Sequence, residues 1–198
     1  MIKQAEFVTS VGNLSQIPHY DFEIAVAGKS NVGKSSFINA LCNQNKLAKT
    51  SKEPGRTRLL NYFNINKGQF YLVDLPGYGY AKVNDEEKLK WGKLIENYFQ
   101  ISKGLKNVFM LLDIRHDPTA DDMQMLKYLY FYHIPFTLIC TKSDKLSKSA
   151  ANKRKREIAN YIGVGIDNVL TFSSLTKDGK EEIFSKILYL FDSQIISE

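Results

Sequence analysis

The chain has 198 residues and a formal net charge of +6, and its length suffices for one substantial α/β domain with its own core. Its two cysteines and three histidines show no disulfide or metal-ligand spacing and support neither a disulfide framework nor a metal site built on them. Because no apolar stretch approaches the roughly 20 residues of a membrane span and no signal-peptide pattern is present, we expect a cytoplasmic protein with no membrane association.

Strand-like and helix-like patterns alternate along the chain, which predicts a single α/β domain over residues 1–198 with a short N-terminal extension over about 1–20. Only residues 66–68 separate the second and third predicted strands, so these two form an antiparallel hairpin. The predicted strands 22–27, 107–113 and 135–141 are apolar runs, which are typical of a parallel sheet covered by helices on both faces. The six predicted strands are Phe22–Ala27, Leu59–Ile65, Gln69–Asp74, Asn107–Asp113, Pro135–Thr141 and Asn168–Phe172.

A glycine-rich segment between the first predicted strand and a predicted helix fits the phosphate-loop pattern G-x-x-x-x-G-K-[ST]. Its glycines permit tight backbone geometry, so that N–H groups and the helix N-terminus can bind phosphate oxygens. Lys34 is expected to reach the β- and γ-phosphates, and Ser35 to place its hydroxyl on Mg²⁺. The pattern does not distinguish ATP from GTP. The predicted contacts are Gly28, Lys29, Ser30, Asn31, Val32, Gly33, Lys34, Ser35 and Ser36.

Two further segments are predicted to approach the phosphates. The turn Asp74-Leu75-Pro76-Gly77 matches D-x-x-G, so we expect Asp74 to contact Mg²⁺ through water and the Gly77 N–H to approach the γ-phosphate. In the long polar loop before it, Thr57 is placed to be a second hydroxyl ligand of Mg²⁺. The predicted nucleotide contacts here are Gly55, Arg56, Thr57, Asp74, Leu75, Pro76 and Gly77. The predicted catalytic residues are Lys34, Thr57 and Gly77.

The segment Thr141-Lys142-Ser143-Asp144 follows a predicted strand and matches the [NT]-K-x-D signature of GTPases. The Asp144 carboxylate would accept hydrogen bonds from the N1–H and amino groups of guanine, whereas adenine offers no such pair. The stem of Lys142 would cover the face of the base. By its order in the chain, the segment Ser173-Ser174-Leu175 is predicted to contact the guanine oxygen, with the N–H of Ser174 as donor.

With these motifs the chain resembles the EngB family of bacterial GTP-binding proteins, small single-domain GTPases linked to large ribosomal subunit assembly, cell division and septation. The resemblance covers the chain from about Ala5 to the last helix, with Lys29 where the family more often has arginine and Leu175 in place of an acidic residue. It implies a Ras-like phosphate-loop fold, GTP or GDP with Mg²⁺ as ligands, and the large ribosomal subunit and its rRNA as partners of a monomer. The segments that carry the resemblance are 28–36, 54–57, 72–83, 113–118 and 141–146.

The resemblance implies a switch in which GTP holds two loops in one arrangement and hydrolysis releases them. Tyr78 stands where many GTPases carry the glutamine that orients the attacking water, so we predict slow intrinsic hydrolysis and stimulation by a partner. Asn31 either supports its turn or, as in related GTPases, binds K⁺. Basic residues on a helix face are usually only solvated, but with this resemblance two groups of them could contact rRNA phosphates. The first group is Lys142, Lys145, Lys148, Lys153, Arg154, Lys155 and Arg156, and the second is Lys88, Lys90 and Lys93.

Three alternatives remain open. An ATP-using phosphate-loop kinase would share the phosphate loop, but it has no use for the segment 141–144. An RNA-binding assembly factor would keep GTP mainly as a structural ligand. A protein that acts directly on a division protein would not need the ribosome.

Overall fold

A computed structural model of the chain describes residues 2–13, 16–48, 59–79 and 85–195. Two short 3₁₀ helices, Ser143–Lys145 and Ile166–Asn168, accompany the main elements. In chain order the strands and α-helices are β1 (Ala5–Val11), β2 (Glu23–Gly28), α1 (Lys34–Leu41), β3 (Leu60–Ile65), β4 (Phe70–Asp74), α2 (Asp85–Ile101), β5 (Leu105–Asp113), α3 (Ala120–Phe131), β6 (Phe136–Thr141), α4 (Lys148–Ile162), β7 (Val169–Thr171) and α5 (Lys180–Ile195).

The strands form one sheet in the order β1-β3-β4-β2-β5-β6-β7. β2 pairs in parallel with β4 and β5, and the parallel pairing continues through β6 to β7. β3 and β4 form the antiparallel hairpin that their short connection predicted. The mostly parallel α/β fold is therefore confirmed.

The predicted number of strands was wrong, because β1 is a seventh strand within the segment predicted to be an N-terminal extension. It pairs antiparallel with β3, and its register shifts after Phe7. Ala5 and Val11 are buried at its two ends, whereas Phe7 and Val8 between them are exposed. An irregular edge strand of this kind lacks the strict alternation of apolar and polar residues by which a strand is recognised in a sequence.

Helices cover both faces of the sheet. One core lies beneath α2, α3 and α4, and it includes Tyr98, Leu126 and Ile158. The other lies beneath α1 and α5, and it includes Phe37 and Ile183. Because β2, β4, β5, β6 and β7 run in the same direction, the loops that follow them meet at one edge of the sheet, where open α/β folds bind their ligands. In the described part of the chain, no helix combines the length and apolarity that crossing a bilayer requires.

We expect Phe172→Ala to lower the free energy of unfolding by about 3–5 kcal/mol, because it removes a buried ring and leaves a cavity. Phe172 follows β7 and is fully buried, and its ring packs edge-on against Phe37 of α1 with the centroids 5.0 Å apart. Denaturant unfolding followed by circular dichroism measures the loss. The control is Phe131→Ala, since Phe131 is 73% exposed, and it should change the free energy by less than about 0.5 kcal/mol. Equal losses in the two variants would contradict this prediction.

Candidate nucleotide-binding site

The loop between β2 and α1 has the strand–turn–helix geometry that phosphate binding requires. Asn31 and Gly33 adopt left-handed backbone conformations, with φ of 67° and 104°, and Gly33 is the N-cap of α1. A Cβ atom at Gly28 would lie 2.8 Å from Cγ1 of Val32, so a larger residue does not fit there without a shift. The N-terminus of α1 supplies N–H groups without helical partners and the positive end of the helix dipole, both of which favour an anion.

A buried ion pair joins this phosphate loop to the end of β4. The ammonium group of Lys34 contacts the Asp74 carboxylate, and the two side chains are only 10% and 5% exposed. Ser35 is the next residue of α1. A cation and a carboxylate in contact, with a serine beside them in the chain, are the types of group that suit phosphate oxygens and a magnesium ion held partly through water.

The turn after β4 is attached to the phosphate loop. The backbone N–H of Leu75 donates to the Val26 carbonyl over 3.0 Å, which continues the pairing of β4 with β2. The N–H of Ser30 donates to the carbonyl of Tyr78 over 2.8 Å. A Cβ atom at Gly77 would lie 3.2 Å from the Ser30 hydroxyl oxygen, so the turn passes close to the phosphate loop at this glycine.

Two hydrogen bonds join residues 141–144 to the phosphate loop. We call this segment the base loop; it consists of the last residue of β6 and the three residues that follow it. The Thr141 hydroxyl oxygen lies 2.8 Å from the Val32 carbonyl oxygen, and Nζ of Lys142 lies 3.0 Å from the Asn31 carbonyl oxygen. Lys142 also pairs with the carboxylate of Asp113 at the end of β5, over 2.9 Å. The side chain of Lys142 therefore connects the loops of three neighbouring strands.

Asp144 is held as an ionised hydrogen-bond acceptor. The hydroxyl of Ser173 donates to its Oδ1 over 2.7 Å, and Nζ of Lys145 lies 3.1 Å from its Oδ2. The hydrogen bond from Ser173, followed by the contact with Lys145, lowers the pKa of Asp144 below its ordinary value. The Ser173 hydroxyl also accepts from the N–H of Leu175 over 3.2 Å, so one serine fixes both segments that were predicted to surround the base.

The structure brings four of the five predicted segments to one edge of the sheet. They are 28–36, 74–77, 141–144 and 173–175. The fifth segment, which contains Gly55, Arg56 and Thr57, lies outside the described residues.

Sequence reasoning missed two acidic residues at this edge. Asp113 binds Lys142, and Asp122 on α3 accepts a hydrogen bond from Tyr78. Asp113 could have been predicted from the sequence, because it is the last residue of a parallel strand, as Asp74 is. Between these two acids a cavity of about 210 Å³ separates the phosphate loop from the segment before α3.

Comparison with known proteins identifies relatives over almost the whole chain. The profile of a family described as 50S ribosome-binding GTPase matches residues 23–142. A probable GTP-binding protein EngB from Clostridium kluyveri is 52% identical over 189 residues, which cover 94% of this chain and 95% of the relative. Its counterpart from Mycoplasma capricolum subsp. capricolum is 49% identical over 196 residues, covering 98% and 100%. The crystal structure of a probable GTP-binding protein EngB has the same fold, with a TM-score of 0.70 at 22% identity over 86% of this chain and 99% of the other.

We expect Ser173→Ala to raise the pKa of Asp144 toward its ordinary value, because the hydrogen bond that contributes most to lowering it is lost. An NMR titration of the side-chain carboxyl carbon measures the shift. A lowered pKa contributes stability that is present above the unfolded-state value of about 3.9 and is lost as the pH falls through the folded value. The variant should therefore lose more stability at pH 7 than at pH 3.

The control for this prediction is Ser185→Ala on α5, because the hydroxyl of Ser185 is exposed and donates only to the Glu181 carbonyl of its own helix. An unchanged Asp144 pKa in Ser173→Ala, or the same shift in both variants, would contradict the prediction.

Proposed function

This chain belongs to the EngB family of GTP-binding proteins, and we propose that it is a monomeric cytoplasmic GTPase switch that assists assembly of the large ribosomal subunit and supports normal cell division and septation. One observation carries the proposal. Lys142 holds the base loop, with the acceptor Asp144, against the Asn31 carbonyl of the phosphate loop. This hydrogen bond supports the proposal that the carboxylate and the phosphate loop bind the two ends of one guanine nucleotide.

At the base end of the site, recognition depends on an acceptor that stays charged. In the proposal, Asp144 accepts hydrogen bonds from N1–H and the amino group of guanine, while Ser173 fixes the orientation of the carboxylate. The stem of Lys142 covers one face of the base, and the N–H of Ser174 donates to the guanine oxygen. Adenine would leave the carboxylate without partners, so the site discriminates between the two purines.

At the phosphate end, Lys34 neutralises the β- and γ-phosphates, and the phosphate loop supplies backbone N–H groups. The hydroxyls of Ser35 and Thr57 would hold Mg²⁺, with Asp74 acting through water. Bound Mg²⁺ neutralises negative charge on the phosphate oxygens. The N–H of Gly77 approaches the γ-phosphate, so the arrangement of the turn depends on whether that phosphate is present. Lys34, Thr57 and Gly77 are therefore the proposed catalytic residues.

Helix α4 provides the proposed surface for rRNA. Lys148, Lys153 and Arg156 are exposed there. Arg154 has a different role, because its guanidinium donates to Glu157 over 2.6 Å and also contacts the segment before α3. The surface is therefore smaller than the run of basic residues suggested. Exposed lysine and arginine side chains bind phosphates through release of counterions, and the matched family is described as ribosome-binding, which supports the large subunit as the partner.

We expect Asp144→Asn to exchange guanine specificity for xanthine specificity. The asparagine amide can donate to the carbonyl group that xanthine carries where guanine has an amino group. Because hydrogen bonds to a charged group contribute roughly 1.5–3 kcal/mol each, the loss of two should lower GDP affinity by about a hundredfold or more. Calorimetry with GDP, xanthosine diphosphate and ADP measures the exchange.

Asp167→Asn is the control for this exchange, because Asp167 is an exposed aspartate in the second 3₁₀ helix. It should leave all three affinities unchanged. Equal affinity of the unaltered protein for GDP and ADP would contradict guanine recognition and favour the ATP-using alternative.

The purified chain should hydrolyse GTP slowly, on the order of 10⁻⁴ to 10⁻² per second, because Tyr78 is held on α3 and is not available to orient water. Large ribosomal subunits should raise this rate, and co-sedimentation should be strongest with a GTP analogue. Single-turnover assays with and without subunits, repeated at increasing salt, measure both effects.

Combined replacement of Lys148, Lys153 and Arg156 by glutamate should weaken co-sedimentation and reduce its salt dependence.

Lys103→Glu serves as the charge control, since Lys103 is an exposed lysine after α2. Fast hydrolysis by the chain alone would contradict the proposed role of Tyr78. Subunit binding without stimulation would favour a structural role for GTP, and no binding in any nucleotide state would favour direct action on a division protein. Parallel assays in KCl and NaCl test K⁺ at Asn31, because equal rates would reject it.

A further inference from the structure

The side chain of Tyr78, the residue after the Asp74–Gly77 turn, is anchored on helix α3. Tyr78 is 4% exposed, and its hydroxyl donates to Oδ1 of Asp122 over 2.9 Å in a buried hydrogen bond. Burial, together with the neighbouring carboxylate, raises the pKa of Tyr78 well above its ordinary value. The phenol therefore keeps the proton that it donates to Asp122.

Asp122 is a rigid anchor because its second oxygen belongs to the N-terminal cap of α3. Thr119 is the N-cap residue, and its backbone N–H and hydroxyl both donate to Oδ2 of Asp122, over 2.8 and 2.7 Å. The carboxylate also lies in the first turn of the helix, where the dipole favours negative charge. Oδ2 thus holds the cap, and Oδ1 holds Tyr78.

The main chain of Tyr78 is attached to the phosphate loop. The N–H of Ser30 donates to the Tyr78 carbonyl over 2.8 Å, and Lys29 and Tyr78 form a parallel bridge. The preceding residue, Gly77, lies so close that a Cβ atom there would be 3.4 Å from Cα of Ser30. Tyr78 therefore contacts the phosphate loop through its backbone and α3 through its side chain.

We propose that Tyr78 is a positioning residue whose hydrogen bond to Asp122 holds Gly77 against the phosphate loop in the arrangement that recognises a nucleoside triphosphate. This inference rests on the proposed function, since it concerns the same nucleotide site. The diphosphate lacks the phosphate that Gly77 would contact, so its binding does not depend on this arrangement. A change in the stability of one conformation alters the affinity for a ligand only if that ligand binds this conformation better than the alternative. Loss of the hydrogen bond therefore weakens triphosphate binding selectively.

A purely structural role for Tyr78 predicts a different result. If the ring only fills space in the core, a phenylalanine fills the same space and the nucleotide affinities stay unchanged. If the hydroxyl contributes only to folding, its loss lowers the stability of the nucleotide-free protein and weakens both nucleotides alike. The ratio of the two affinities separates positioning from both of these roles.

The experiment compares Tyr78→Phe with Tyr62→Phe. Tyr62 is fully buried, and its hydroxyl has no hydrogen-bond partner among the described residues, so the same chemical change is made where no bond is lost. Calorimetry gives the affinities for GDP and for a non-hydrolysable GTP analogue, and thermal unfolding is measured without nucleotide. Tyr78→Phe should lower the ratio of triphosphate to diphosphate affinity by about five- to tenfold, as expected for one hydrogen bond. Tyr62→Phe should leave this ratio within about twofold of its value in the unaltered protein.

A second variant, Asp122→Ala, removes the acceptor of the same bond. It should reduce the ratio at least as much as Tyr78→Phe does, because it also removes the cap hydrogen bonds from Thr119. Adding Tyr78→Phe to Asp122→Ala should cause no further reduction, because the acceptor of the Tyr78 hydroxyl is already absent and the cap is lost in both proteins. An unchanged ratio in Tyr78→Phe, an equal loss for both nucleotides, or a further reduction in the double variant would overturn the inference. If the unaltered protein bound no guanine nucleotide, the proposed function would fail and the inference with it.

Discussion

Two hydrogen bonds connect loops that lie more than 100 residues apart in the chain, and the geometry of the whole site depends on them. The Thr141 hydroxyl and the Lys142 ammonium contact the carbonyls of Val32 and Asn31, at separations of 109 and 111 residues. The two loops follow β6 and β2, which lie on either side of β5. Lys142 also contacts Asp113 at the end of β5. Because three paired strands fix these loop ends, the distance between the two loops is set by the sheet.

The pKa values of two carboxylates at this edge, Asp113 and Asp144, are lowered, whereas that of a buried carboxylate at the other end of β2 is raised. Burial opposes ionisation of Asp113, but hydrogen bonds from Arg115 and Lys142 outweigh it and lower its pKa. A hydroxyl and an ammonium group do the same for Asp144. Glu23 is fully buried and accepts hydrogen bonds from neutral hydroxyls, and there burial prevails and raises the pKa. Burial therefore prevails at Glu23, whereas the hydrogen-bond donors prevail at Asp113 and Asp144 and favour the ionised form of these two carboxylates.

Helix α3 shows why a residue that supports the site escapes recognition in a sequence. The helical spacing of Met123, Leu126, Leu129 and Tyr130 predicts one core-facing stripe. Leu126 and Leu129 are buried and Met123 is partly buried, but Tyr130 is 53% exposed, so the prediction was wrong for that residue. Asp122 and Met125 share that face at the same period. From the sequence alone an aspartate is expected to be exposed to solvent, because aspartate is rarely buried without hydrogen-bond partners. Here the partners are the cap of its own helix and Tyr78, which is 44 residues away, and neither the burial of Asp122 nor its link to the phosphate loop follows from local pattern.

Residue types and periodicity within short segments were enough to predict the glycine-rich loop 28–35, the segment 141–144, the hairpin and the central parallel strands. The folded chain was needed to see that β1 completes the sheet, that Asp113 holds Lys142, and that Arg154 joins α4 to the segment before α3. These features are contacts between residues far apart in the chain. Their energies depend on which strands are neighbours and on which charges burial brings together, and no local pattern carries that information.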